Sequence, residues 1–234
     1  MINELLWVLL LAANFLAILL AYRLFGKVGL YSWIAASVII ANIQVLKLVE
    51  VFGFVTAMGN IIYGTIFLAT DILNENHGKE DAQKAVWIGF FALIFVTIVM
   101  QITLKFTPHP EDFISPALQS IFELLPRITI ASLTAYMISQ FHDIWMFNLL
   151  KKKTKGKYLW LRNNISTFLS QLIDNVIFTW IAFVGFFGLF GWGLVFEWEI
   201  IIQIFFVTLV MKYIVAILDT PFIYWAKKMK EESS

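Results

Sequence analysis

The chain of 234 residues has no cysteine, few charges and only five prolines. Without cysteine there is no disulfide framework and no thiolate metal site. Charged residues make up 14%, against about 25% in an ordinary soluble domain, which sets aside soluble enzymes and disordered chains. No collagen-like repeat is present. There is no P-loop, no G-x-G-x-x-G, no H-E-x-x-H and no G-x-S-x-G, so the chain carries no ATPase of its own. The formal net charge is +1, so there is no basic field for nucleic acid. The three histidines, His77, His109 and His142, are scattered without metal-ligand spacing. Neither a metal nor another cofactor is expected.

What is present is apolar. Hydrophobic residues reach 60% and aromatics 17%. A chain this short leaves much of its surface exposed, so the excess must face lipid. The start, Met1-Ile2-Asn3-Glu4, has an acid and no base before an apolar run reaching Leu24. It reads as a retained helix rather than a secretory signal. Seven segments are long enough to span a bilayer: 2–25, 30–47, 51–73, 85–106, 127–150, 163–190 and 200–226. The expected fold is an all-α, polytopic integral membrane protein. In the connection 107–126, a proline-rich start precedes an apolar stretch at Leu118–Leu125, which is either a surface-lying segment or a buried loop.

Basic residues orient such a protein. With seven spans, thirteen of the seventeen bases fall on one face: Arg23, Lys27, Lys79, Lys84, the run from Lys151 to Lys157, Arg162, Lys227, Lys228 and Lys230. That face is expected to be cytoplasmic, with the C-terminus there and the N-terminus outside. The Lys151–Lys157 run reads first as topogenic charge, and secondly as a phosphate or lipid contact.

Charged groups at membrane depth usually face a cavity or a partner. Asp143, Asp174, Lys212 and Asp219 lie there, with Asp71 and Arg127 nearer the interfaces. In the sixth segment Asn163, Asn164, Thr167, Ser170, Gln171, Asp174 and Asn175 recur at three- and four-residue steps, which places them on one helix face. The fifth has Ser132, Tyr136, Ser139 and Asp143, with Gln140 and His142 beside them. Such stripes are either helix–helix glue or the lining of a solvated cavity; seven polar groups with an acid favour the cavity. Ser139-Gln140-Phe141-His142-Asp143-Ile144-Trp145-Met146-Phe147 and Ser170-Gln171-Leu172-Ile173-Asp174-Asn175-Val176-Ile177-Phe178 share the pattern S-Q-x-x-D-x-x-x-F. On antiparallel helices the two copies occupy one slab, each Asp level with the other's Ser-Gln, as in inverted repeats around a mid-membrane site. Lys212 and Asp219, seven residues apart, share a face, and Lys212 with Asp174 is one way to neutralise both. A carboxylate accepts two parallel N–H bonds from an amidine-like edge, and aromatic neighbours can stack on a flat ring. A planar nitrogen-rich heterocycle fits; so do an amine and a proton relay. Pro221 is expected to kink the seventh helix. Ala13, Ala17 and Ala21 form a small-residue seam on the first.

Several runs resemble the queuosine precursor transporters, also called the VUT or YhhQ-type family. They are Ala41-Asn42-Ile43-Gln44-Val45-Leu46-Lys47 with Phe52-Gly53; Phe67-Leu68-Ala69-Thr70-Asp71-Ile72-Leu73-Asn74-Glu75 with Gly78-Lys79; Arg127-Ile128 with Ala131-Ser132; and Trp160-Leu161-Arg162-Asn163-Asn164 with Ser166-Thr167. The resemblance extends from about Ser32 to Tyr224. It implies an inner-membrane importer of 7-deazaguanines, such as the 7-cyano and 7-aminomethyl compounds or queuine, salvaged for tRNA modification. Typical members have six helices, so residues 1–27 are expected to be an extra N-terminal helix, 28–230 the six-helix core and 231–234 a polar tail.

The leading expectation is a carrier working by alternating access. Gln140, Asp143, Asn164, Ser170, Gln171, Asp174 and Asn175 are the expected substrate residues, and Asn42, Asp71, Arg127, Lys212 and Asp219 the gating or coupling residues. The partners expected are a planar heterocycle, the bilayer and a second copy of the chain. The alternative is a substrate-binding subunit of an energised, ECF-type vitamin uptake complex, docked through the alanine seam. A hydrolase would need Ser139 with His142, the one pair that sketches a nucleophile and base.

Overall fold

The computed structural model describes residues 2–185 and 191–232. Its elements are α1 (Ile2–Gln44), a hairpin of β1 (Leu48–Val51) and β2 (Phe54–Ala57), α2 (Asn60–Asn76), α3 (Lys79–Thr103), α4 (Ser115–Phe122), α5 (Leu125–Lys153), α6 (Leu159–Thr179) with a π-helical turn (Trp180–Val184), α7 (Trp198–Leu218) and α8 (Thr220–Glu232). Among the described residues, five helical runs are long and apolar enough to cross a membrane: Ile2–Gln44, Lys79–Thr103, Ser115–Lys153, Leu159–Val184 and Trp198–Glu231. Large apolar side chains stand exposed along them, among them Leu9, Leu16, Phe91, Phe95, Ile102 and Phe206. Only lipid makes that surface favourable. The protein is a multi-pass membrane protein.

The segments expected at 2–25 and 30–47 are one 43-residue helix, broken at Gly26 (φ 57°, ψ −141°). Glycine adopts that left-handed conformation without strain, so the chain changes direction there without a loop. Its first arm carries Trp7, Leu11, Phe15, Ile18 and Leu19 on the buried side. Ala13 is exposed, and Ala17 and Ala21 are half-buried.

The segment expected as a span over 51–73 begins differently. Residues 48–57 form an antiparallel hairpin in which Val51 pairs with Phe54. The two-residue turn, Phe52 (φ 56°) and Gly53 (φ 78°), has positive φ at both positions, as a tight hairpin of matching twist requires. β-Branched Val49, Val51, Val55 and Thr56 suit the strands. The helix proper, α2, has 17 residues, with Asn60 through Asn74 all buried. Buried all round, it is the central post of the fold. α1, α3, α5, α7 and α8 pack around it, and α6 pairs most closely with α5.

The expected helix 163–190 leaves regular geometry at Gly185 (φ 100°), and residues 186–190 lie outside the described residues. The expected helix 200–226 is two helices that meet at Asp219, two residues before Pro221. Proline cannot donate the backbone bond that would continue the helix. α4 is a short helix with only Phe122 buried, so Leu118–Leu125 lies mostly on the surface. The chain ends define two sides. The hairpin, α4 and the loop before α7 lie on one, called here the hairpin side; the Gly26 kink, the α2–α3 turn, the α5–α6 loop and α8 lie on the other, the base-rich side.

Candidate substrate site

A cavity on the hairpin side lies between the second arm of α1, β2, α2, α5, α6 and α7. Asn42, Asn60, Ser132, Asn175, Thr179 and Thr208 supply its polar lining, and Phe178 and Phe183 add aromatic wall. Asp174 and Lys212 line it too, and they are joined to each other: Lys212 Nζ donates to Asp174 Oδ2 at 2.7 Å. Tyr63 donates its hydroxyl to Asp174 Oδ1 at 2.6 Å, and Ser139 donates to the same oxygen at 3.2 Å. The ammonium also lies 5.0 Å from the centre of the Tyr63 ring. Both carboxylate oxygens are thus occupied, which is what an ion pair withdrawn from water requires. The open volume is about 50 Å³, room for a few water molecules.

The S-Q-x-x-D repeat meets across α5 and α6 as its spacing predicts. Ser139 of the first copy donates to Asp174 of the second. In the reverse direction Ser170 lies within interaction range of Asp143, although its hydroxyl bonds His142 Nδ1 at 2.8 Å. Asp143 is fully buried and neither oxygen has a hydrogen-bond partner in good geometry. Asp71, Ser166 and Thr167 crowd it from α2 and α6. Asp71 accepts from Thr167 at 3.2 Å, and Asp219 accepts from Asn163 Nδ2 at 3.0 Å. Asp71, Asp143 and Asp219 therefore form a second cluster on the base-rich side of the cavity, acceptor-rich and, among the described residues, without a paired cation. Gln140 Oε1 lies 3.1 Å from the Thr70 hydroxyl, and both amide atoms of buried Gln171 lack partners.

Of the residues expected to contact substrate, Asp174 and Asn175 line the cavity; Gln140, Asp143, Ser170 and Gln171 form the polar layer beneath it. Asn164 stands apart, donating to Thr220 Oγ1 and the Trp160 carbonyl near the base-rich side. Of those expected to gate or couple, Asn42 and Lys212 line the cavity, and Asp71 and Asp219 join the inner cluster. Arg127 is elsewhere. It donates to the Gly193 carbonyl at 2.9 Å and lies over the Trp192 ring, fastening the loop before α7. Lys212 and Asp219 share a face, with Lys212 reaching Asp174 and Asp219 reaching Asn163.

Three participants were not singled out from the sequence. Tyr63 and Asn60 sit on a stretch, 51–70, that holds no charged residue to mark them. Glu75 lies four residues beyond Asp71 on the same helix face, a signal that was legible. It forms ion pairs with Lys151 (2.8 Å), Arg162 (2.6 Å) and Lys227 (2.9 Å), from α5, α6 and α8. Arg162 is fully buried, lies over the Phe147 ring, and donates to the Gly156 carbonyl at 2.8 Å. One carboxylate thus ties four helices together across the base-rich end.

A family model described as "Putative vitamin uptake transporter" matches residues 57–226. A "Probable queuosine precursor transporter" of Bacillus subtilis strain 168 is 41% identical over 230 residues, covering 98% of this chain and 96% of the relative. A protein of the same name from Haemophilus influenzae is 30% identical over 132 residues, 56% of this chain and 54% of the relative. The "Queuosine precursor transporter" of Escherichia coli K12 is 28% identical over 143 residues, 61% of this chain and 62% of the relative. No solved structure matches. The family match runs from the end of β2 into α8, the part of the chain that builds the inner carboxylate cluster, the Glu75 ion pairs and all of the cavity except the wall from the second arm of α1, and this chain belongs to that family of membrane transporters.

Proposed function

We propose that the chain imports queuosine precursors, planar 7-deazaguanines, across the inner membrane of a prokaryote by alternating access. The observation that carries this reading is the cavity with Asp174 in its wall beside Phe178 and Phe183. A guanine-like edge presents two parallel N–H donors, and a carboxylate answers them bidentately while aromatic rings cover the face. Asp174 is now held by Lys212, Tyr63 and Ser139. Substrate would replace some of these donors, and the cavity would widen, since about 50 Å³ is less than a bicyclic ring fills. Asn42 and Asn175 would orient the ligand. Asp143, Gln140, Ser170 and Gln171 would receive it on the way through, and Glu75 would hold the far side shut meanwhile.

The base-rich side is read as cytoplasmic from the distribution of Lys and Arg. With the two arms of α1 and α2 each counted as a pass, the chain crosses seven times, with the N-terminus outside. Residues 1–27 would then be an arm outside the six-helix core of 28–230, and its exposed apolar side a contact for lipid or a second copy. The test is queuosine in tRNA of a strain lacking both its own synthesis and its own transporter, given scarce precursor, with and without this gene. Restoration lost in Asp174→Asn, with the variant folded in the membrane, is the expected result. Restoration unchanged in Asp174→Asn removes the site assignment, and no restoration by the wild type removes the substrate class.

A further inference from the structure

Asp71, Asp143 and Asp219 reach one buried layer from α2, from α5 and from the residue between α7 and α8. Their acceptors outnumber their donors. Asp71 Oδ2 accepts from Thr167 at 3.2 Å, and Asp219 Oδ1 accepts from Asn163 Nδ2 at 3.0 Å. Asp71 Oδ1, both oxygens of Asp143 and Asp219 Oδ2 have no partner among the described residues. The hydroxyls beside Asp143 are engaged elsewhere: Ser166 donates to the Asn163 carbonyl at 3.3 Å, Thr167 donates to Asp71, and Ser170 bonds His142 Nδ1 at 2.8 Å. Asn163 adds an independent observation. Its head group reaches the cluster through Nδ2, and its own Oδ1 is buried there without a partner.

The atoms left over on these four residues are five acceptors. A buried acceptor is answered by a donor or a cation. The free donors of Asn74, Gln140, Arg162 and Gln171 reach none of them. The charged and titratable groups around the layer are already committed. On the hairpin side Lys212 and Tyr63 are held by Asp174, and the Tyr136 hydroxyl lies against Gly89 of α3. On the base-rich side Arg162, Lys151 and Lys227 are held by Glu75. Among the described residues no three His, Asp or Glu side chains converge as metal ligands. What fits between carboxylates standing side by side is a proton. Asp71 and Asp143 lie within hydrogen-bonding reach of each other. A proton on one oxygen of such a pair makes it a donor and gives its neighbour a partner at once, whereas two like charges that close are not both kept away from water.

We propose that Asp71 and Asp143 form a proton-binding site, one proton shared between the two carboxyls, which the carrier fills before its helices close around this layer. When the bundle opens, water reaches the pair and solvates both charges. When it closes, one charge is neutralised by a proton taken from the side the layer last faced. The proton is thus a second ligand of the carrier. Its role in transport rests on the importer reading above; the site itself does not.

Infrared difference spectroscopy of the pure chain in lipid reads the site without any substrate. The wild type at neutral pH is expected to show a protonated-carboxyl C=O stretch that shifts in D2O, a component of which is missing in Asp71→Asn. Asparagine keeps the shape, donates to Asp143 through its amide, and leaves the net charge of the singly protonated pair. Asp143→Asn is expected to lose the same component and serves if Asp71→Asn does not fold. Proteoliposomes read the role, by exchange of radiolabelled 7-cyano-7-deazaguanine at equal pH on both sides. Wild-type exchange is expected to fall about tenfold per pH unit once alkaline medium takes the proton from the pair, and Asp71→Asn, whose donor is permanent, to hold its rate. Lys212, Tyr63 and the substrate titrate in both proteins, so the difference between them belongs to the pair. A protonated-carboxyl signal that neither variant reduces overturns the site, and equal alkaline slopes overturn its part in closure. No exchange by the wild type at any pH removes the substrate class instead, and the infrared result then decides the site alone.

Discussion

Asp174 and Glu75 are both buried carboxylates in ion pairs, and their surroundings differ in two respects. Asp174 has one cation, Lys212, and two hydroxyls, and it faces a cavity. Glu75 has three cations from three helices, one of them a fully buried arginine. A single cation and two neutral donors can be exchanged for ligand donors at modest cost, because the acceptor never loses all its partners at once. Three cations converging on one carboxylate must all be released for the helices to part, so that arrangement suits closure. The difference separates binding from sealing within one bundle, and it can be tested at each end.

The largest effect is expected at Lys212. Lys212→Met leaves Asp174 buried with hydroxyl partners only, and breaking a buried pair from one side costs about 3–5 kcal/mol. The double variant Lys212→Met/Asp174→Asn is expected to melt above the lysine variant alone, because no charge is then stranded. Thermal unfolding in one detergent checks this. Uptake is expected to fall roughly a hundredfold in Asp174→Asn, the loss of about two charge-assisted hydrogen bonds in the bound state. If Lys212→Met melts like the wild type, the pair is not the buried, mutually dependent unit described.

Next comes Glu75. Glu75→Gln removes the charge that gathers Lys151, Arg162 and Lys227 while keeping the shape. Ser166, fully buried beside Asp143 and one helical turn beyond Arg162, can be made a cysteine in a chain that has none, so any thiol labelling reports that position. Reaction of Ser166→Cys with a hydrophilic maleimide is expected to rise about tenfold in the Glu75→Gln background, equivalent to about 1.4 kcal/mol of opening. Equal labelling in both backgrounds would mean that Glu75 does not seal, and the contrast with Asp174 would collapse.

The comparison also shows what a sequence discloses. Asp174 and Lys212 were legible as partners because helical rise places residues at equal depth on antiparallel helices, and each stood out as a charge in an apolar run. The Ser139–Asp174 bond followed from the same arithmetic. Glu75 was legible only as a charge on the face of Asp71; its partners were not, because they lie 76, 87 and 152 residues further along the chain, and a charge near a helix end reads as ordinary solvation. The hairpin at 48–57 was hidden by its own hydrophobicity: an apolar stretch beside a membrane helix extends that helix in any count of residues, although Phe52-Gly53 between β-branched residues was a turn signal. The break at Gly26 went unread as a kink because arms on either side that satisfy a span look like two helices and a loop.

A finer probe of the binding end is Tyr63→Phe. The hydroxyl is one of three donors to Asp174, and it is the one whose ring also lies under the ammonium. Phenylalanine keeps the ring and removes the donor, so stability should drop by about 1–2 kcal/mol and uptake about tenfold, less than for Lys212. An effect as large as that of Lys212→Met would make Tyr63 the main partner of Asp174, and the single-cation description of that site would have to be redrawn.

The smallest effect is expected at His77, in the α2–α3 turn on the base-rich side. Burial, first, and then Lys230 hold the ring below its ordinary value of 6.5. The unfolded chain therefore binds more protons than the folded one as pH falls through that value. Stability rises with pH where the unfolded state holds more protons, so the contribution of His77 is complete above about pH 6.5 and is lost progressively below it. Because the ring is partly exposed, screening keeps the term small. His77→Gln keeps a side chain that can bond Tyr22 and removes the titration. The melting temperature of the wild type is expected to fall by about a degree or two more than that of the variant between about pH 7.5 and about pH 5.5. Parallel slopes would mean that the ring feels neither its burial nor Lys230, and that the far end of the base-rich side, unlike the Glu75 ion pairs, contributes nothing to stability through its charges.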